Sequence, residues 1–152
     1  MGDAAEVMSV LSFTIDGMPL IYSGQEEPLR KRLRFFEKDT IPFSTFAIAP
    51  MYQKLTALRH QMSCLETHVE GNTAAVRINV SEDVYAFERG NDMDKIVVIL
   101  NLSPKPQETT LTSSYEGLYN LFDQDGPEAI PAGQAIALDP WDYKVYTNKP
   151  IQ

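Results

Sequence analysis

A chain of 152 residues fits one ordinary domain, or a small domain with a fragment attached, and 43% hydrophobic residues are enough for a packed core. The net charge of −8 is lopsided: residues 1–64 hold seven Lys/Arg and seven Asp/Glu, whereas residues 65–152 hold six and fourteen. An acidic second half argues against nucleic acid and anionic membrane as partners, no apolar run approaches the roughly 20 residues that span a bilayer, and a single cysteine, Cys64, excludes an intrachain disulfide and a thiolate zinc cluster.

The first predicted element is a helix. It has no basic residue ahead of its apolar stretch, so it does not read as a signal peptide. Asp3 and Glu6 have capping-box spacing, and Ala4, Val7, Met8, Leu11 and Ile15 line one face. Val10 and Phe13 widen that face, so the helix needs cover on more than one side. Asp16-Gly17 is expected to end it, glycine being the cheapest residue in a left-handed cap. The run Leu20-Ile21-Tyr22 is continuous rather than alternating, as in a strand of a parallel sheet buried on both faces. One such strand cannot make a sheet, so its neighbours must come from elsewhere. A long polar loop follows, over residues 25–47. A second helix is expected from about Pro50, with Met51, Leu55, Leu58 and Met62 as its buried stripe and Lys54, Arg59 and Gln61 on its wet side.

From Glu66 the pattern turns to strands. Val76, Ile78 and Val80 alternate with polar neighbours, and residues 84–89 and 95–102 form a hairpin across a Gly90-Asn91-Asp92 turn. Further short strands are expected around residues 109–112, 118–122, 134–138 and 143–147. About seven short strands with regular turn signals indicate an antiparallel Greek-key sandwich, with Phe87, Val97, Ile99 and Trp141 largely buried.

The segment Gly17-Met18-Pro19-Leu20-Ile21-Tyr22-Ser23-Gly24-Gln25-Glu26 resembles the end of the catalytic barrel in the alpha-amylase family, glycoside hydrolase family 13. There a G-x-P-x-I-Y-x-G-x-E stretch forms the eighth strand and the loop beyond it. Lys31-Arg32-Leu33-Arg34-Phe35-Phe36-Glu37-Lys38-Asp39 is similar to a loop of a bacterial subgroup, and Tyr52-Gln53-Lys54-Leu55-Thr56-Ala57-Leu58-Arg59 is similar to the final barrel helix. Residues 84–89, 97–102 and 138–146 look like strands of the family's C-terminal antiparallel domain, domain C. Asp16 departs from the pattern, since relatives often carry proline there. The resemblance implies a mainly β chain: residues 1–64 are the remnant of a (β/α)8 barrel, and residues 65–152 are a domain C-like sandwich. It also implies that no catalytic residue can be carried over. The family's aspartate nucleophile, glutamate acid/base and second aspartate lie on earlier barrel strands and loops, and none of those motifs occurs here.

Each remaining candidate has a plainer reading beside it. Gln25 and Glu26 are weak candidates for substrate contact, and Glu26-Glu27 sits near the rim where barrel active sites gather. A loop-ordering or solvated acid is the favoured alternative. The basic residues 30–34 are flanked by Glu26, Glu27, Glu37 and Asp39, so a locally neutral loop is preferred to an anion or membrane site. His60 and His68 lack companions for a metal site. Asp123-Gln124-Asp125-Gly126 begins like a calcium loop but lacks the rest of the pattern, and Pro127 favours a turn. Tyr119, Trp141, Tyr143 and Tyr146 could stack on sugars, although sandwich packing is the commoner use. Cys64 reads as a small apolar filler. No metal or cofactor is expected.

Two functions follow. One is a structural C-terminal part of a hydrolase acting on starch-like α-glucans, which touches glucan only within the full-length enzyme. The other is a free-standing carbohydrate-binding or protein-interaction module. The helix and orphan strand favour the first. Their apolar surface predicts either a homo-oligomer through residues 1–62 or folding back onto the chain's own sandwich.

Overall fold

A computed structural model describes residues 2–27, 29, 32–34, 36–67, 69–123 and 126–152. A 3-10 turn, Gly2–Ala4, leads into α1 (Ala5–Thr14), and α2 spans Ala49–Gln61. Eight strands follow: β1 (Val76–Arg77), β2 (Val84–Gly90), β3 (Lys95–Asn101), β4 (Gln107–Thr109), β5 (Tyr115–Asn120), β6 (Pro127–Ile130), β7 (Ile136–Leu138) and β8 (Tyr143–Thr147). The main sheet has the order β1-β2-β3-β8-β5-β6, all antiparallel, and β4 pairs with β7 in a second, two-stranded sheet. The last strand is thus inserted between β3 and β5, a Greek-key return.

Alternation along the central strands sorts the side chains into two cores. Phe87 lies opposite Val98, which lies opposite Val145. This row faces the helices and shares a core with Val7, Val10, Phe13, Leu55, Leu58 and Met62. The opposite face sends Val84, Ala86, Val97, Ile99 and Tyr146 into a second core with Leu111, Leu118 and Leu138. The main sheet is therefore covered by helices on one side and by the β4–β7 sheet on the other. The α2 stripe Met51, Leu55, Leu58 and Met62 is buried as the spacing requires, and so are Phe87, Val97 and Ile99. Trp141 is half-buried against the helix-side core. The polar residues of α2 are not idle on its wet side. Lys54 donates to Phe122 O, Arg59 to Phe13 O and Gly17 O, and Gln61 to Gln152 O.

Several local expectations change. Neither Asp3 nor any other side chain caps α1; the 3-10 turn runs straight into it, and Glu6 instead accepts from Tyr143 Oη at 3.0 Å. Nor does glycine end the helix. Ile15 turns extended, and the left-handed-side Gly17 (φ 121°) comes two residues later. Residues 18–22 form no ladder among the described residues, and Leu20 and Tyr22 are 80% and 62% exposed rather than buried. A parallel strand is buried only when neighbouring strands and helices enclose it, and the described residues bring none to that place. Of the alternating trio, only Ile78 is buried, while Val76 and Val80 are exposed. Asn79 takes the inner position. Its amide accepts from Ala86 N and donates to Val84 O and Thr109 Oγ1, replacing ladder bonds where β1 stops. The strand expected at 109–112 lies at 107–109. Pro127, expected to favour a turn, instead opens edge strand β6, where a leading proline loses no ladder bond.

Candidate functional site

The loop between α1 and α2 holds the acid pair Glu26 and Glu27. Glu27 is buried there. Its Oε1 accepts backbone N–H groups from Ser44, Thr45 and Phe46, and its Oε2 accepts Thr45 Oγ1 at 3.0 Å. One carboxylate thus gathers three consecutive amides from the far end of the loop. Glu26 O accepts Ile48 N at 3.4 Å, so the loop is also pinned at its base. The bonds from Phe46 and Ser44, the largest influences, hold the Glu27 carboxyl below the usual carboxylate range against the opposing effect of burial. A glycosidase general acid needs the reverse, a carboxyl kept protonated by its surroundings. Glu27 is therefore built to stay ionised and hold the loop.

A pH prediction follows. A group whose folded pKa is depressed contributes stability above its unfolded value, about 4.3, and loses it as pH falls through the folded value. Amide exchange at Ser44, Thr45 and Phe46, relative to intrinsic rates, should be flat from neutral pH down to about 5 and rise below about 4.3. Glu27→Gln should remove that dependence and leave the three amides open at all pH values. Protection that persists in the variant would contradict the assignment.

The two weak candidates are occupied locally. Gln25 Oε1 accepts Tyr22 N, and Gln25 N donates to Tyr22 O at 3.0 Å. Glu26 Oε2 accepts Gly24 N at 3.1 Å, and Glu26 borders a shallow open groove with Ala49, Tyr52, Gln53 and Thr56. Of the basic run, Arg30 and Lys31 lie outside the described residues. Arg34 pairs with Glu37 and donates its backbone N–H to Asp39, as a neutral loop would. His60 is exposed at the end of α2, and His68 lies outside the described residues. So do Gln124 and Asp125 of the calcium-like stretch. No cluster of three or more potential metal ligands occurs among the described residues. The aromatic quartet is divided: Tyr146 enters the core facing β4 and β7, whereas Trp141 and Tyr143 pack on the helix side. Burial, then Glu6, pushes the Tyr143 hydroxyl pKa upward. Cys64 is fully buried, and burial raises its thiol to about 11, which suits a filler.

The sequence reading passed over Arg89, which joins the two halves of the chain. It is 1% exposed. Its guanidinium donates to Thr14 O at 3.2 Å, Ile15 O at 3.1 Å, Asp16 Oδ1 at 2.9 Å and Thr73 O at 3.4 Å. It therefore caps the carbonyl end of α1, where a cation is favoured. A signal was present: Tyr85, Phe87 and Arg89 alternate onto one face, so a charge was aimed into the core.

Comparison with known proteins points one way. A family model described as "Alpha amylase, C-terminal all-beta domain" matches residues 77–127. Alpha-amylase MalA of Haloarcula japonica is 28% identical over 119 residues, covering 76% of this chain and 17% of MalA. Among solved structures, the maltogenic amylase from S. marinus superposes with a TM-score of 0.70 at 16% identity, over 100% of this chain and 20% of that one. The Anoxybacillus alpha-amylase does so with a TM-score of 0.63 at 19% identity, over 97% and 32%. The chain thus spans a minor part of each relative's length.

Proposed function

We propose that this chain is a fragment of an alpha-amylase-family protein carrying the family's C-terminal all-β domain, and that its own role is structural. In this reading, residues 65–152 serve as domain C, and residues 1–64 serve as the end of a catalytic barrel docked onto it. Hydrolysis of starch-like α-glucans then depends on carboxylates outside these 152 residues. The observation that carries the reading is the state of Glu27. The buried acid of the candidate site is spent on three backbone amides, so it cannot donate a proton or attack an anomeric carbon.

The test is incubation of the purified chain with soluble starch and a chromogenic maltooligosaccharide. Retaining catalysis supplies rate enhancements of at least about a millionfold, so even trace competence is measurable. The expected result is no turnover above the blank, and turnover that survives repurification would overturn the reading. The same samples address the alternative of a free-standing sugar-binding sandwich. Trp141 is the only tryptophan, it is half-buried, and it has a left-handed backbone (φ 60°). Stacking on a maltooligosaccharide would change its emission, and unchanged emission up to about 10 mM sugar would leave that alternative without support.

A further inference from the structure

We propose that residues 148–152 form a strap that latches the end of α2 to the main sheet through a junction at Asp94, and that releasing the strap frees the helix end while the sheet stays closed. The strap begins where β8 stops. Asn148 is stitched to the β2–β3 turn: its backbone N–H donates to Lys95 O at 3.1 Å, and its side chain accepts Lys95 N–H at 3.0 Å and donates to Met93 O at 2.9 Å. Beyond it the chain crosses to α2. Ile151 is buried in the helix-side core. At Gln152 a side chain imitates a strand partner: Gln61 Nε2 donates to Gln152 O at 2.7 Å, and Gln61 Oε1 accepts Gln152 N–H at 3.3 Å. One short segment thus holds the sheet at one end and the last residue of α2 at the other.

Three observations make this a latch rather than a tail lying on a surface. First, one buried carboxylate serves both sides. Asp94 is 3% exposed. Its Oδ1 accepts Lys149 Nζ at 2.7 Å, and its Oδ2 accepts both Ser63 N–H and Ser63 Oγ at 2.7 Å. Ser63 opens the 3-10 turn Ser63–Leu65 that follows α2, so the strap and the helix end hold opposite oxygens of one group. Second, Asp94 is fixed and cannot follow either partner. Asn91 Oδ1 accepts Asp94 N–H at 2.7 Å, while Asn91 Nδ2 donates to Ser63 Oγ at 3.0 Å and to Asn72 Oδ1 at 2.8 Å. Third, the two sides depend on each other. Burial is the largest influence on the Asp94 carboxyl and pushes it up, yet bonds from Lys149 and Ser63 together hold it below the usual carboxylate range. A buried carboxylate that loses its cation keeps the cost of its desolvation. Removing the Lys149 ammonium therefore leaves an ion that must draw in water, and that water comes at the expense of the Ser63 bonds.

Amide hydrogen exchange on the full chain tests this. Met62, Ser63 and Leu65 report on the helix end, and Val98, paired on both sides in the middle of β3, reports on the sheet. Lys149→Met should speed exchange at the first three at least about 10-fold and leave Val98 unchanged. Gln61→Ala cuts the far anchor and should loosen the same three amides. The double variant should be no faster than the faster single one, because one strap is released only once. Lys105→Met removes the same charge from an exposed lysine elsewhere and should change nothing. If Lys149→Met fails to fold, as judged by lost protection at Val98, Gln61→Ala decides, because that side chain is only half-buried. Unchanged exchange at Met62, Ser63 and Leu65 in a folded Lys149→Met or in Gln61→Ala overturns the proposal. So does an additive double variant, since the two contacts then act independently.

Discussion

Replacing Arg89 with methionine should lower thermal stability by about 3 kcal/mol, because three carbonyls lose a charged donor, a hydrogen bond of this kind being worth roughly 1.5–3 kcal/mol, while part of the loss is offset by no longer desolvating a guanidinium. For a chain of this size that is a drop of roughly 6–12 °C in the unfolding midpoint. The loss comes from Thr14 O, Ile15 O and Thr73 O rather than from the ion pair. The Asp16 side chain is 55% exposed, so water and salt screen its attraction to Arg89. Asp16→Asn should therefore cost less than about 1 kcal/mol. The contrast is the measurement: equal losses in the two variants would show that the ion pair, not the helix cap, holds α1 to the sheet.

Leu55→Ala should be comparably severe, about 2–5 kcal/mol, because Leu55 is fully buried and truncation leaves a cavity in close-packed surroundings. The position matters more than the size. Leu55 is on α2, yet it shares a core with Phe87, Ile96, Val98 and Val145 of the main sheet. Helical ellipticity and Trp141 emission should lose stability together, in one coincident transition. Two separated transitions, with the Trp141 signal unmoved, would show that residues 1–64 unfold independently of the sandwich. The division between residues 1–64 and 65–152 would then be a true domain boundary.

Much of this architecture is legible in the sequence where a short window carries the period. The stripe of α2 and the β2–β3 hairpin follow from side-chain spacing and a turn of Gly90, Asn91 and Asp92. The Greek-key sandwich follows from repeated short strands, and the motif at residues 17–26 carries only a resemblance to the alpha-amylase family. Failures occur where a side chain stands in for backbone. Asn79 completes a ladder across five and seven residues, so the alternation through Val76 and Val80 misleads. Pro127 looks like a stop, but it is the harmless first residue of an edge strand.

The candidate site divides in the same way. The acid pair and its place in the loop are visible in the sequence. What Glu27 does is not visible, because its partners lie 17 to 19 residues away and are backbone amides, which carry no side-chain signature. Arg89 reaches α1 across 73 to 75 residues. Local periodicity thus determined which segments become helices and strands and which faces seek burial. Only the tertiary structure decided which surfaces meet, because a buried charge is tolerated just where distant chain supplies its acceptors or donors. By the same logic, residues 18–22 join no sheet among the described residues, since a strand's burial is a property of its neighbours.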